Sequence, residues 1–239
     1  MNALFSIWKR ELQGYFYTPV GYVFMGVFLL LSSVIFFLTI MQTRSSDLLA
    51  FIGTMSYLWM LLCPVLTMRL LAEERQKRTD QLLLTSPVSL PGVVLGKYLA
   101  AVTVMAVTVL ATGLFVLIVA LYGQVYPGEL LVGYLGFMLQ GCAFIAMDLF
   151  ISGCCTNQVT AVVAAFGANF VLWMLDLLQS AISVSWVNAL LSFFSLYERS
   201  EPFLMGQFSF ASVGYDLSFA AAFIVLAIHH LDARRYRGA

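Results

Sequence analysis

Apolar residues fall in long runs divided by short polar breaks, at approximately 20–41, 49–71, 93–121, 130–152, 159–180 and 212–231. A helix needs about 20 apolar residues to cross a ~30 Å hydrocarbon core, where it satisfies its own backbone groups. The pattern therefore predicts six membrane-spanning helices. The run 186–197 puts Trp186, Leu190, Phe194 and Tyr197 on one helical face, but about 12 residues are too few to cross. It reads as an interfacial or re-entrant helix. Residues 2–17 are too polar to span, yet Leu4, Trp8, Leu12 and Phe16 recur every four residues, opposite Ser6, Lys9, Arg10 and Gln13. That spacing predicts an amphipathic helix, residues 1–18, lying on the inner membrane surface. The rest, 19–239, forms one transmembrane domain. The first long run is too long for a signal core, so the reading keeps it as a span.

Composition agrees: 62% of residues are hydrophobic and 10% charged, with mean hydropathy +0.93, against about a quarter charged in soluble domains. A net charge of zero gives no footprint for nucleic acid. Charge placement is more informative. Six spans with both ends cytoplasmic put Lys9, Arg10, Arg69, Arg75, Lys77, Arg78, Lys97, Arg234, Arg235 and Arg237 inside, and only Arg44 and Arg199 outside. The positive-inside rule selects that arrangement in the cell membrane. A seventh span would move the C-terminal arginines to the opposite side from Lys9 and Arg10. The stretch 72–92 then faces the cytoplasm and 181–211 the exterior.

Few groups offer chemistry. Cys63, Cys142, Cys154 and Cys155 form no CxxC pair and have no histidine at a zinc-ligand spacing, so they read as small apolar side chains. His229 and His230 are consecutive and point about 100° apart on a helix, which does not direct both at one metal. Asp148, Asp176 and Asp216 each lie near a span's end, where hydration is expected, and no chain of carboxylates crosses the membrane. A carboxylate at mid-bilayer costs on the order of 3 kcal/mol. Gln140 and Asn169 are mid-membrane candidates for interhelical hydrogen bonds or a pathway lining. In the fifth span Ala161 with Ala165, and Ala164 with Ala168, let another backbone approach closely.

The stretch 73–97, EERQKRTDQLLLTSPVSLPGVVLGK, concentrates charge and then changes character. Glu73 with Lys77 and Glu74 with Arg78 are i,i+4 pairs in the favourable order, which carries the second span's helix beyond the membrane. Pro87 disfavours helix at Ser86, so the chain turns there, and Ser89 caps a new helix with Pro91 in its first turn. Leu82, Leu83 and Leu84 lie between, three leucines outside the bilayer that need burial in their own bundle or in a partner's groove.

These residues (the glutamate pair, Thr79, Leu82 to Leu84, Thr85, Pro87, Val88, Ser89, Gly96 and Lys97) resemble the type-2 ABC permease family, whose pattern forms the coupling helix that docks on the ATPase. Arg78 departs from it, since many members have Gly there. Ser195, Leu196, Tyr197, Glu198, a Phe-rich stretch, Gly206 and the final Arg234, Arg235 and Tyr236 are similar to the branch associated with gliding motility and related exporters.

The resemblance implies an all-α polytopic permease with an amphipathic entry helix, a cytoplasmic coupling helix and short external re-entrant helices. It implies a homo- or heterodimer of permease chains over two ABC ATPase subunits, export as the direction, and an optional extracytoplasmic accessory protein. Glu73, Glu74, Arg75, Leu82, Leu83, Leu84 and Pro87 become the coupling residues, with Glu74 and Arg75 set for ionic contacts at the ATPase. ATP and Mg belong to that partner, because this chain has no GxxxxGK[ST] loop: near Gly92, Gly96 and Lys97 the spacing is one residue short and Tyr98 replaces Ser or Thr. Two rivals remain, an ATP-independent secondary transporter or channel, and an intramembrane enzyme. The substrate is not readable from these apolar walls.

Overall fold

The computed structural model describes residues 3–43, 48–78, 89–181 and 195–237, all helical or connecting. The helices are α1 (Ala3–Tyr17), α2 (Pro19–Thr43), α3 (Leu48–Gln76), α4 (Leu90–Tyr122), α5 (Pro127–Cys154), α6 (Gln158–Ala181), α7 (Leu196–Leu204) and α8 (Phe210–Arg237). Six of them, α2 to α6 and α8, are long and apolar enough to cross a membrane. The protein is thus a multi-pass, all-helical membrane protein. Residues 79–88, which hold Leu82, Leu83, Leu84 and Pro87, lie outside the described residues, as do Trp186, Leu190 and Phe194.

α3 and α5 form the centre and pack on each other most extensively, while α2, α6 and α8 are peripheral and show apolar side chains to the surroundings. Peripheral exposure suits lipid, which accepts apolar surface at no cost. In the core the Trp59 ring of α3 meets Phe24 and Phe28 of α2 and Phe137 of α5 edge to face at 5.6–6.1 Å. α7 closes one end of the bundle by pressing Phe203 against α5. A Cβ on Gly136 would stand 2.4 Å from the Phe203 Cβ, so only glycine permits this approach.

α1 differs from a free surface anchor. Its inward stripe is Leu4, Ile7, Trp8, Glu11, Leu12 and Tyr15, in steps of three and four, and it packs along α4. Ile7 and Tyr15 are buried, and the Trp8 indole donates to Thr103 Oγ1 at 3.1 Å. The predicted every-fourth stripe drifts off the helix period of 3.6, which is why it replaced Ile7 and Tyr15 with Phe16. α1 and the ends of α3 and α8 share one face of the bundle (the α1 face), and α7 lies at the other.

Candidate functional site

Charges on the α1 face are braced against one another around Lys97. This lysine sits two turns into α4 with its side chain almost wholly buried, and its Nζ meets Glu11 Oε1 of α1 at 3.1 Å and Glu74 Oε1 of α3 at 2.9 Å. Gly96 beside it admits α1, since a Cβ there would lie 2.9 Å from Ile7 Cγ2. The Gly-Lys pair at the end of the family-like stretch therefore has a physical meaning: the glycine lets α1 lie on α4, and the lysine joins three helices. Breaking a buried pair by removing one partner costs about 3–5 kcal/mol, because a charge is left uncompensated.

Outward of Lys97, Glu73 accepts from Arg69 Nε at 2.9 Å and from Lys77 Nζ at 2.7 Å, the second being the predicted i,i+4 pair. Glu11, Arg69, Glu73, Glu74, Lys77 and Lys97 together line a polar cleft of about 240 Å³. Arg10, largely exposed, reaches Glu11 at 3.1 Å and Glu74 at 3.7 Å. Such exposed pairs contribute under about 1 kcal/mol each. Tyr15 donates its hydroxyl to the Leu66 carbonyl at 2.8 Å. Burial, and after it the Glu11 carboxylate, pushes this phenol up, so it remains a donor.

Arg75 and Gln76 clasp a second turn. Arg75 Nη1 donates to the carbonyls of Gly153, Cys154 and Cys155 at 3.3, 3.2 and 2.6 Å, the open end of α5. Gln76 Oε1 accepts from the Gln158 amide at 3.3 Å, where α6 begins. A cation thus meets the negative end of one helix and a carbonyl oxygen the positive end of the next. One turn earlier, Ser152 Oγ accepts from the Leu71 and Ala72 amides at 3.3 and 3.1 Å and donates to the Met68 carbonyl at 3.2 Å. A single hydroxyl from α5 spans one rung of the α3 ladder, a known place for a helix to bend.

Beyond Gln76, α3 ends in a turn with Arg78 at φ 54°, a left-handed conformation that favours glycine. A glycine would adopt this conformation without the strain a Cβ brings. Glu74, expected to pair along its own helix with Arg78, is brought to Lys97. Ser89 does occupy the N-cap before Leu90, with Pro91 in the first turn, but its side chain makes no capping bond.

Two interior groups depart from the sequence reading. Asp148 and Asp216 are at most 1% exposed, so closeness to a span's end brings neither of them hydration. Neighbouring helices cover them. Asn169 bridges helices: its Nδ2 donates to the Met60 carbonyl at 3.2 Å and to Asp148 Oδ2 at 3.3 Å. The Met60 carbonyl needs that donor because Pro64, four residues on, has no N–H. Pro64 was the overlooked signal. Ala161 and Ala165 are buried on the same face of α6 as Asn169. Gln140 is buried, and its Nε2 has no partner among the described residues.

The cysteines and histidines build no centre: among the described residues no group of three His, Cys, Asp or Glu side chains is placed to hold a metal. What the arrangement supplies is mechanical, a charged and cross-braced root from which residues 79–88 depart. No curated protein matches the chain. A family model described as ABC-2 family transporter protein matches residues 24–198, well over half of its length and inclusive of both turns described above on the α1 face. The chain belongs to the ABC-2 transporter family of membrane proteins.

Proposed function

We propose that this chain is the membrane-spanning permease subunit of an ATP-driven exporter, and that a separate ABC ATPase supplies the energy. The observation that carries the reading is the braced root: Lys97 ties α1, α3 and α4 together, and Arg75 with Gln76 ties α3 to the α5–α6 turn. A push on residues 79–88 is then delivered to five helices at once. Leu82, Leu83, Leu84 and Pro87 make the contact with the ATPase in this proposal. Glu73, Glu74 and Arg75, whose charges are engaged within the chain, hold the lever rather than touch the partner. Two permease chains over two ATPases carrying ATP and Mg complete the working unit, with both termini cytoplasmic by the charge bias.

Affinity purification of the full chain from its native membrane tests this. An ATP-hydrolysing subunit with a phosphate loop should co-purify in equal amount, and Leu83→Asp should release it while the chain stays folded. Retention of the ATPase by Leu83→Asp would remove the docking assignment. Ion-gradient-driven transport by the purified chain without nucleotide would replace the whole reading with a secondary transporter.

A further inference from the structure

At the opposite end of α3 an open groove of about 580 Å³ runs between α3 and α6. Tyr57 and Leu61 form one wall and Phe166, Phe170 and Trp173 the other, with Asp176 at its α7 end. On α6 these rings fall at i, i+4 and i+7, so they share a face. Phe166 and Phe170 stack with centroids 6.5 Å apart, and Trp173 follows at 5.4 Å. Tyr57 is held in place by stacking on Tyr197 at 4.8 Å. From Phe166 to Asp176 the helix rise gives a length of about 15 Å.

Asp176 is the only charged residue in the lining among the described residues. Its Oδ1 accepts a short hydrogen bond from Ser195, the N-cap residue of α7, whose Oγ also accepts from the Glu198 amide. Its Oδ2 is buried and has no hydrogen-bond partner among the described residues. The nearby cation, Arg199, lies over the Tyr215 ring of α8 at 5.3 Å. The groove therefore ends beside an oriented carboxylate, flanked by aromatic faces, whose second oxygen is covered and lacks a partner among the described residues. Aromatic faces attract cations by about 0.5–2 kcal/mol each, and quaternary ammonium sites are built from them. A cation at this end of the groove stabilises the Asp176 carboxylate through space in an apolar setting, which a neutral lipid tail or an anion does not.

We propose that this groove binds a lipophilic monocation, with its ammonium-type head against Asp176 and Trp173 and its apolar body along Phe170, Phe166 and Leu61. As the substrate class of the exporter this rests on the proposed function; as a binding site it stands alone.

The test uses the full chain in nanodiscs of zwitterionic lipid without nucleotide, so that it does not depend on an ATPase. Radiolabelled tetraphenylphosphonium is the probe, with dodecyltrimethylammonium, dodecanol and dodecyl sulfate as competitors. Saturable binding should be displaced by the ammonium compound and not by the alcohol or the sulfate. Asp176→Asn should weaken it about tenfold and Trp173→Leu several-fold, whereas Asp176→Glu keeps it within a few-fold. Should Asp176→Asn not fold, Trp173→Leu and the competitor series still decide. Equal displacement by dodecanol, or unchanged affinity in the two variants, overturns the proposal. So does efficient cross-linking between two copies through Phe170→Cys with no loss on adding the probe, which would show that a second chain covers the groove. Probe binding without any co-purifying ATPase would refute the exporter and keep the site; an ATPase without probe binding would do the reverse.

Discussion

The two ends of α3 handle charge in opposite ways. At the Gln76 end, acids and bases of α1, α3 and α4 neutralise one another at 2.7–3.1 Å around a buried lysine. At the Tyr57 end, a carboxylate oxygen is buried with no partner among the described residues, and rings surround it. A matched network resists being pulled apart, whereas an unmatched buried charge favours whatever ligand completes it. The first end has the properties of a lever's root and the second those of a recognition surface, and α3 joins them in one continuous helix of 29 residues.

The largest effect should come from unbalancing the matched end. Lys97→Met leaves Glu11 and Glu74 facing each other without their cation and should cost about 3–5 kcal/mol. In detergent this is a fall in melting temperature on the order of 10 °C. Adding Glu11→Gln and Glu74→Gln to the same chain should return most of the loss, since no charge is then stranded. A Lys97→Met protein that melts within about 2 °C of the original would show that the network contributes little.

Next in size is the clasp. Arg75→Gln removes the cation from three carbonyls at the end of α5 and should cost about 1–2 kcal/mol locally. The exposed Cys154 thiol reports on it: maleimide labelling from the α1 face should accelerate several-fold while the global melting temperature moves little. Unchanged labelling would mean the α5–α6 turn holds its shape without α3, and the two turns on the α1 face would then be mechanically separate.

Between the two ends sits Asn169. Asn169→Leu should cost about 1 kcal/mol, in the range of interhelical hydrogen bonds in membranes. Pro64→Ala gives the Met60 carbonyl a donor from its own helix, so Asn169→Leu should cost less in that background. A double-mutant cycle with no coupling would break the link drawn between the proline and the amide.

How legible this was depended on the range of each interaction. Membrane spans follow from length and apolarity within one segment, and all six were readable. Lys97 stood in a recognisable motif, yet its burial depends on Glu11, 86 residues earlier in the chain, which no local spacing reveals. The resemblance implies ATPase contacts for Glu74 and Arg75, and i,i+4 arithmetic pairs Glu74 only along its own helix; neither reveals the partners they meet on α4 and at the end of α5. Asp148 and Asp216 were placed by distance from a span's end, whereas burial is set by neighbouring helices. Ser152 and the Asp176 groove are likewise products of packing. Pro64 and its orphan carbonyl, by contrast, were readable from the sequence and went unused.

The smallest predicted effect concerns the turn where the matched end gives way to residues 79–88. Arg78 holds φ 54°, which costs a residue with a Cβ about 1 kcal/mol or more, whereas glycine visits it freely. Glycine also enlarges the conformational freedom of the unfolded chain, which offsets part of the gain. The net for Arg78→Gly is a stabilisation of about 0.5 kcal/mol, seen as a rise of 1–2 °C in melting temperature, with Arg78→Asn between the two and Arg78→Val below the original. If the glycine variant instead lost stability only when the ATPase is bound, the Arg78 side chain would be making a contact on the partner that outweighs its backbone strain. The charged root would then extend one residue further, from bracing the lever to touching what moves it.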